Sequence, residues 1–269
     1  MRRFAQVLIP LVLPAVLAAQ PTTASARPTA AAIQYARFAA LFGGRLVAAF
    51  TAIPGDRYDY RPTAAQQTIG YIAQHLEDAN YSLCERMGAA RHPRTSKDSL
   101  ADTIKARWPK DTLVARLDAS LGYCDAALER LGQLDSPAVV STLLAFETDL
   151  AEHYSQLAVY MRLLGLVPPS ALPPKQRVAI DLPAATLSAY AGVYELAPGF
   201  QLVVAMRNDS LTIRSTPGGA EVRLWPESPA DFFVNGMDAQ VTFTRDASGS
   251  VKGLVFRQFG RPREARKVQ

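Results

Sequence analysis

The sequence predicts an α+β protein of two domains, an up-down four-helix bundle followed by a small antiparallel β-sheet or barrel domain. Two observations indicate this fold class. Apolar residues recur at helical spacing in long segments between residues 30 and 170, and beyond a proline-rich stretch the period changes to two. With 269 residues, of which 49% are hydrophobic, the chain is long enough to bury two cores.

The first two predicted helices follow from apolar spacing and from the break between them. Residues 30–50 place large apolar side chains close to a helical repeat, and Pro54 with Gly55 interrupts this pattern. The second helix extends to about residue 87, and Thr63 is the residue expected to cap its amino terminus. His75 lies within this second helix, one position away from its apolar face.

Two further helical elements complete the predicted bundle. A short helix at residues 99–107 leads into a longer one at residues 110–131, and together they form the third element. Asp135 and Ser136 offer a cap before Pro137 in the first turn of the fourth helix, which continues to residue 164. Amphipathic segments with modest connections are typical of four helices packed around one core.

A linker and a β domain follow the bundle. Residues 171–180 are rich in proline and polar side chains, which indicates a linker between a domain at residues 30–170 and one at residues 181–269. In the second domain, apolar residues alternate with polar ones between turn sequences, which is typical of half-buried strands. The strands predicted in this way are residues 201–205, 210–214, 239–243 and 253–257.

The amino terminus is predicted to be a secretory signal peptide covering residues 1–26. A pair of arginines precedes a mostly apolar run, and Ala24-Ser25-Ala26 has the small-x-small pattern of a signal peptidase site. A membrane anchor is the alternative, but the apolar run is shorter than the ~20 residues that a span needs and is interrupted by prolines. No later segment has the length and apolarity of a span. We therefore expect export to the periplasm or the extracellular space, with cleavage after Ala26 or after Ala19.

Charge and cysteine content narrow the classes of partner. The formal net charge of +5 is small and scattered, which argues against nucleic-acid binding. Cys84 and Cys124 are the only cysteines, and in an oxidising compartment they can close a disulfide between two helices, with buried free thiols as the equally supported alternative. Neither belongs to a Cys-x-x-Cys pair, so a thiolate metal site is disfavoured. The sequence leaves the oligomeric state open, a dimer included.

Three residues with metal-ligand chemistry are candidates for a site in the bundle. Asp149 and His153 are four residues apart, about one helical turn, so both side chains project from one face of the fourth helix. His75 lies on the second helix, and facing helices of a bundle can bring such residues to a common axis. Together they would form a site of two histidines and one carboxylate with open positions for water or substrate.

The helical half resembles the DinB-like superfamily of four-helix-bundle proteins. The motifs that carry the resemblance are Phe50–Pro54, Tyr58–Pro62, Gly70–His75, Glu152–Leu157 and Tyr160–Arg162. Members of this superfamily typically bind a divalent metal through three histidines, one on the second helix and two spaced by four on the last. The resemblance places His75 and His153 at two of these positions and Asp149 at the third. It implies a divalent transition metal, zinc, nickel, iron or manganese, as the cofactor.

The carboxyl-terminal half resembles a small β domain that is often appended to exported serine hydrolases of the β-lactamase type. The matching segments are Leu187–Glu195, Pro226–Glu227 and Phe232–Phe233. The chain contains no Ser-x-x-Lys, Gly-x-Ser-x-Gly or His-Glu-x-x-His motif, so the main signatures of serine and zinc hydrolases are absent. The resemblance assigns no chemistry to this domain.

Polar neighbours of the candidate ligands are given supporting roles or left outside the site. Glu152 and Gln156 flank the ligand pair, and Gln156 stands where it could orient a bound water or a ligand imidazole. Ordinary solvated or interhelical hydrogen bonds are the alternative for both residues. His92 falls in a polar loop at residues 88–97 and is predicted to be a solvated histidine outside the site.

Two main hypotheses of function follow. The first is an exported metal-dependent hydrolase or transferase that acts on an unknown small molecule. Export would separate the protein from cytoplasmic low-molecular-weight thiols, which disfavours the thiol chemistry of some superfamily members. The second is a non-catalytic binding or scaffold protein of the cell envelope, with an aromatic patch around Trp225, Phe232 and Phe233, although the β core is the favoured place for these rings. A small-molecule cleft between the domains is compatible with the first hypothesis.

Overall fold

The computed structural model describes residues 30–93, 95–128, 131, 136–173, 175–197, 199–216, 218–258 and 261–269. The predicted signal peptide lies outside these residues, as does Asp135 of the predicted fourth-helix cap. The predicted fold class is confirmed, because a helical domain with four long helices precedes an eight-stranded antiparallel barrel. Within the described ranges, no helix combines the length and the apolarity required to cross a membrane.

Four long helices form the bundle, and two short helices accompany the domains. Their bounds are α1 Ala30–Ala52, α2 Ile69–Arg86, α3 Asp102–Lys105, α4 Lys110–Leu128, α5 Pro137–Leu163 and α6 Ala184–Ser188. α1 and α2 each pack against both α4 and α5, which puts α1 and α2 at opposite corners of the bundle. The shared core contains the fully buried side chains of Phe50, Ile72, Leu117, Phe146 and Leu157.

The predicted cap of the second helix is wrong. Thr68, not Thr63, precedes the first turn of α2, and its hydroxyl accepts a hydrogen bond from the Tyr71 amide at 3.2 Å. Thr63 instead belongs to a turn in which its carbonyl accepts from the Gln66 amide at 3.1 Å. Both threonines have the chemistry of a cap, so contacts outside the helix decide between them.

Close backbone contacts around Gly70 determine where α2 begins. The Gly70 amide donates to the Tyr58 carbonyl at 2.8 Å. A Cβ atom at this position would stand 2.1 Å from the carbonyl oxygen of Ala106, so this approach requires glycine. The segment after α1 and the chain after α3 therefore both meet the first turn of α2.

The β domain is a closed barrel in which each strand pairs with the next and β8 pairs with β1. The bounds are β1 Gly192–Ala197, β2 Phe200–Arg207, β3 Ser210–Thr216, β4 Val222–Pro226, β5 Asp231–Phe233, β6 Ala239–Arg245, β7 Val251–Gln258 and β8 Arg261–Lys267. The four predicted strands correspond to β2, β3, β6 and β7. The strands β1, β4, β5 and β8 were not predicted. Local sequence explains two of these cases, because β5 has only three residues and β8 is rich in charge and contains Pro262.

Aromatic rings fill one end of the barrel. The Tyr190 ring stacks on Phe243 with centroids 4.3 Å apart, and Phe232 meets Phe243 edge to face at 5.3 Å. The Tyr194 hydroxyl donates to the Tyr190 carbonyl at 2.7 Å, so a polar group at this end is satisfied locally.

The aromatic residues considered for an exposed patch are largely inside the domain. Phe232 and Phe233 are only 1% and 7% exposed. Trp225 is half-buried, and the Arg223 guanidinium carbon lies 3.8 Å from its ring centroid. Phe232 and Phe233 therefore lie in the β core, as the sequence favoured. They do not form the exposed aromatic patch that the scaffold hypothesis requires.

The segment predicted as a linker is attached to the barrel at its carboxyl-terminal end. Arg177 forms an ion pair with Glu227, and the Ile180 amide donates to the Pro226 carbonyl at 2.9 Å. These contacts join the segment to the connection between β4 and β5.

Candidate metal centre

His75 on α2 and Asp149 and His153 on α5 converge between the two helices. Nε2 of His75 lies 3.5 Å from Oδ1 of Asp149, and Nδ1 of His153 lies 3.3 Å from the same oxygen. The two imidazole centroids are 4.9 Å apart. One ligand atom from each residue lies within 4.8 Å of the others, and the described ranges contain no second group of this kind. The packing of α2 against α5 therefore brings together the three residues that the sequence singled out.

The register of α5 orients one of the imidazoles. Nδ1 of His153 lies 2.9 Å from the backbone carbonyl oxygen of Asp149, one turn earlier. In the tautomer with its proton on Nδ1, His153 donates to this carbonyl, and Nε2 keeps the lone pair that a metal ligand requires. The helix itself thus supplies the outer hydrogen bond that commonly orients a ligating histidine.

The cluster lies at the boundary between the bundle core and solvent. The side chain of His75 is 38% exposed, whereas Asp149 and His153 are 20% and 14% exposed. Oδ2 of Asp149 is buried and has no hydrogen-bond partner among the described residues. A buried carboxylate oxygen without a partner is costly, and a bound cation would satisfy it.

The charges of the three side chains are coupled. Burial disfavours the charged form of Asp149, but hydrogen bonds from His153 and His75 outweigh burial and hold the Asp149 pKa well below its usual range. Burial also disfavours charge on His153, and its hydrogen bonds to Asp149 reverse this effect, so the His153 pKa is raised. The carboxylate is therefore anionic at neutral pH and forms the negative centre of the cluster.

The donor set fits a divalent transition metal. Two donors bound to one ion at ~2.1 Å can be no more than about 4.2 Å apart, so a spread of 4.8 Å closes with small side-chain movements. Two imidazoles and one carboxylate suit zinc, nickel, iron and manganese. Three protein ligands would also leave coordination positions for water or substrate.

The residues predicted to support the ligands have other contacts. Nε2 of Gln156 donates to the Tyr160 hydroxyl at 2.9 Å, and this hydroxyl donates to the Gln67 carbonyl at 3.2 Å. The Gln156 amide nitrogen is thus directed at a tyrosine rather than at a ligand imidazole. Glu152 is exposed and acts through its charge, which favours the protonated form of His153.

Tyr71 borders the cluster and had no role in the sequence-based assignment. Its ring is parallel to the His75 imidazole within 8°, with centroids 6.4 Å apart. The spacing of four residues on one helix was the available signal. Tyr71 also lines a surface groove of about 860 Å³ together with Asp59, Arg61 and Gln67. The groove therefore reaches the edge of the candidate metal centre.

His92 lies outside the cluster and in a loop, as predicted, but it is half-buried rather than solvated. Its ring stacks on Tyr81 with centroids 3.8 Å apart and lies 5.7 Å from the Tyr123 ring. Its amide donates to the Glu85 carboxylate at 2.9 Å. The loop folds back onto α2 and α4, and the imidazole is half-buried there.

Cys84 and Cys124 form a disulfide that joins α2 to α4, with Cα atoms 5.4 Å apart. The sequence had left bonded and free cysteines equally supported. Close packing of α2 against α4 places the two residues within the Cα separation that a disulfide needs. The bond therefore braces the helix that carries His75.

Comparison with protein families divides the chain at the same place as the structure. Residues 42–153 match the DinB superfamily, from the second half of α1 to His153 itself. Residues 176–267 match a domain of unknown function, DUF3471, which covers the barrel. A search of the curated proteins found no match to the chain.

Proposed function

Because residues 42–153 are a DinB superfamily domain, we propose that this protein is an exported metalloprotein that catalyses hydrolysis or group transfer on a small molecule. The metal would be a divalent transition ion held by His75, Asp149 and His153. The observation that carries the proposal is the convergence of one ligand atom from each of these residues within 4.8 Å, beside a surface groove.

The protein side chains have separate parts in this proposal. A bound divalent ion would supply Lewis-acid activation of a carbonyl group or of water. Asp149 supplies negative charge and the imidazoles supply neutral donors, while the Asp149 carbonyl orients His153. The Tyr71 ring lies 6.4 Å from the His75 imidazole and also lines the groove, so a substrate in the groove would reach the edge of the centre.

Two features support export. Residues 1–26 have the arrangement of charge, apolar run and small residues that signal peptidase recognises. The bond between Cys84 and Cys124 is of a kind that persists in oxidising compartments. Intact-mass measurement of the protein recovered outside the cytoplasm should show a chain beginning after Ala26 or after Ala19. A full-length chain retained in the cytoplasm would contradict this part of the proposal.

Metal content of the mature protein, purified without chelator or polyhistidine tag, tests the centre directly. We expect about one equivalent of a transition metal in the wild type, and its loss in His153→Ala and in Asp149→Asn. His92→Gln is the matched control, because it removes the third histidine of the chain from a place outside the cluster. Equal metal content in His92→Gln and His153→Ala would mean that binding is nonspecific.

Activity is tested with ester, amide and phosphoester substrates in the presence of zinc, nickel, iron or manganese. Turnover that requires metal, fails in His153→Ala and survives in His92→Gln would support an enzyme. Stoichiometric metal binding with no turnover on any of these substrates would support a non-catalytic role instead.

A non-catalytic protein is the second candidate, and the presence of Asp149 favours it. The Asp149 carboxylate lies within 3.5 Å of one nitrogen of His75 and one nitrogen of His153. The three side chains can therefore stabilise one another without a metal. Asp149→His would restore the three-histidine set that the family resemblance implies. If Asp149 has changed the metal preference of the site without abolishing metal binding, this variant should bind zinc or nickel more tightly than the wild type does.

A further inference from the structure

A second candidate site is a mostly apolar cavity of about 260 Å³ between α1 and one end of the barrel. Ala36 and Ala40 line it from α1. Leu202, Ile213 and Ala239 line it from the inner face of the barrel, where they are no more than 4% exposed. The cavity shares no residue with the candidate metal centre.

The inner face of β6 shows why a cavity forms at this end of the barrel. Ala239, Val241 and Phe243 alternate with outward residues and point inward, and side-chain size increases along the strand. Phe243 belongs to the aromatic cluster that fills the far end, whereas Ala239 lines the cavity. Small aliphatic residues at one end therefore leave space that the aromatic residues occupy at the other.

Arginines outnumber acids among the residues that line this apolar space. The charged residues that line the cavity are Arg37, Arg214, Arg263 and a single acid, Asp125. Arg263 shares the inner face of β8 with buried Ala265, and its guanidinium carbon lies 5.6 Å from the ring centroid of Phe200. An apolar chamber edged by guanidinium groups is complementary to an apolar molecule that carries one anionic end.

We propose that this cavity binds an alkyl monocarboxylate, with the alkyl chain in the mouth of the barrel and the carboxylate beside the arginines. At roughly 30 Å³ for a group the size of water, the cavity holds about nine such groups. This volume accommodates an alkyl acid of about eight carbons. Because α1 forms one wall, a bound acid would also contact both domains.

Calorimetric titration of the mature protein with octanoate tests the site, with 1-octanol and octyltrimethylammonium as neutral and cationic probes of the same chain. We expect octanoate to bind most tightly, and Arg263→Gln to weaken octanoate roughly tenfold while changing octanol little. Absence of octanoate binding at millimolar concentration overturns the proposal. Equal affinity for octanol or for the cation overturns the assignment of the carboxylate.

Cavity-filling variants locate the ligand. Ala40→Phe places a ring into the cavity from α1, and Ala119→Phe makes the same change on an exposed face of α4. We expect at least a tenfold loss of octanoate affinity in the first and no change in the second. Ala220→Trp, on the barrel side, provides a second filled variant if Ala40→Phe does not fold, as judged by thermal unfolding. Unchanged octanoate binding in a folded, filled variant would place the ligand elsewhere and overturn the proposal.

Discussion

The two domains of this protein bury different kinds of side chain. The buried polar and charged residues in the described ranges all lie in the helical domain, and they are Gln74, Glu77, Asn80, Lys105, Ser120 and Glu147. The buried core of the barrel consists of apolar and aromatic residues, among which only Tyr190 and Tyr194 carry hydroxyl groups. The core of the helical domain therefore contains buried polar and charged side chains, whereas the barrel core consists of packed apolar and aromatic side chains.

The polar groups of the helical domain are only partly satisfied. Asn80 donates to the Ser120 hydroxyl at 2.9 Å, and Arg116 donates to the Glu77 carboxylate at 2.8 Å. Both carboxylate oxygens of Glu147 and the side-chain oxygen of Gln74 are buried without a hydrogen-bond partner among the described residues. Unpaired buried polar atoms reduce stability. We therefore expect the helical domain to depend on its disulfide and on pH, and the barrel to depend on its aromatic packing.

Each domain contains one of the two tryptophans, so the comparison can be measured. Trp108 packs beside the bundle core under Arg116, and Trp225 lies in β4. In a Trp225→Phe background, fluorescence follows unfolding of the helical domain. In a Trp108→Phe background, it follows unfolding of the barrel.

The largest expected effect is on the barrel, from Phe243→Ala. Phe243 is 3% exposed and contacts the rings of Tyr190, Tyr194 and Phe232, so its removal leaves a cavity. We expect the free energy of barrel unfolding to fall by about 3–5 kcal/mol in denaturant titrations followed by Trp225. Lys252→Ala, exposed on β7, is the control and should change it by less than about 0.5 kcal/mol. An equal loss in the Trp108 signal would show that the domains unfold as one unit.

Removal of the disulfide should have the next largest effect, and on the other domain. Cys84→Ala with Cys124→Ala is expected to lower the free energy of unfolding of the helical domain by about 2–4 kcal/mol, measured through Trp108. Reductant should destabilise the wild type in the same way and leave the double variant unchanged. A comparable shift in the Trp225 signal would contradict the assignment of the disulfide to one domain.

Glu147→Gln tests the partly satisfied polar core. Burial raises the pKa of Glu147 from 4.5 to about 8, so between these values the folded protein holds a proton that the unfolded chain releases. Stability of the helical domain should therefore fall as pH rises through this window. The neutral glutamine should stabilise it by about 1–3 kcal/mol at pH 8 and change little at pH 4.

Unfolding free energies at several pH values, measured through Trp108, check this expectation. Asp111→Asn is the control, because it makes the same change of carboxylate to amide at an exposed position of α4. A pH profile of Glu147→Gln that parallels the wild type would show that another group controls the pH dependence.

The smallest expected effect distinguishes the two threonines before α2. Thr68→Ala removes the side chain that accepts from the Tyr71 amide and should lower the unfolding free energy of the helical domain by about 1 kcal/mol. Thr63→Ala, at the exposed residue predicted from the sequence, should have almost no effect. A larger effect of Thr63→Ala than of Thr68→Ala would show that Thr63 caps α2, as the sequence predicted.

Prediction from sequence succeeded where the information was local. Asp149 and His153 share a face because they are one turn apart on α5. The strands β2, β3, β6 and β7 were predictable because each has a period of two. By contrast, β5 has three residues, and it is a strand because it pairs with β4 and β6.

The sequence by itself determined the class of fold, the four long helices and the presence of ligand-type residues on two of them. These features depend on spacing within single segments, which residue order specifies directly. Only the tertiary structure decided that His75 reaches Asp149, that Cys84 meets Cys124, and that the barrel mouth encloses a cavity against α1. Each of these depends on packing between segments distant in the chain, where small differences in helix position and side-chain size decide which atoms meet.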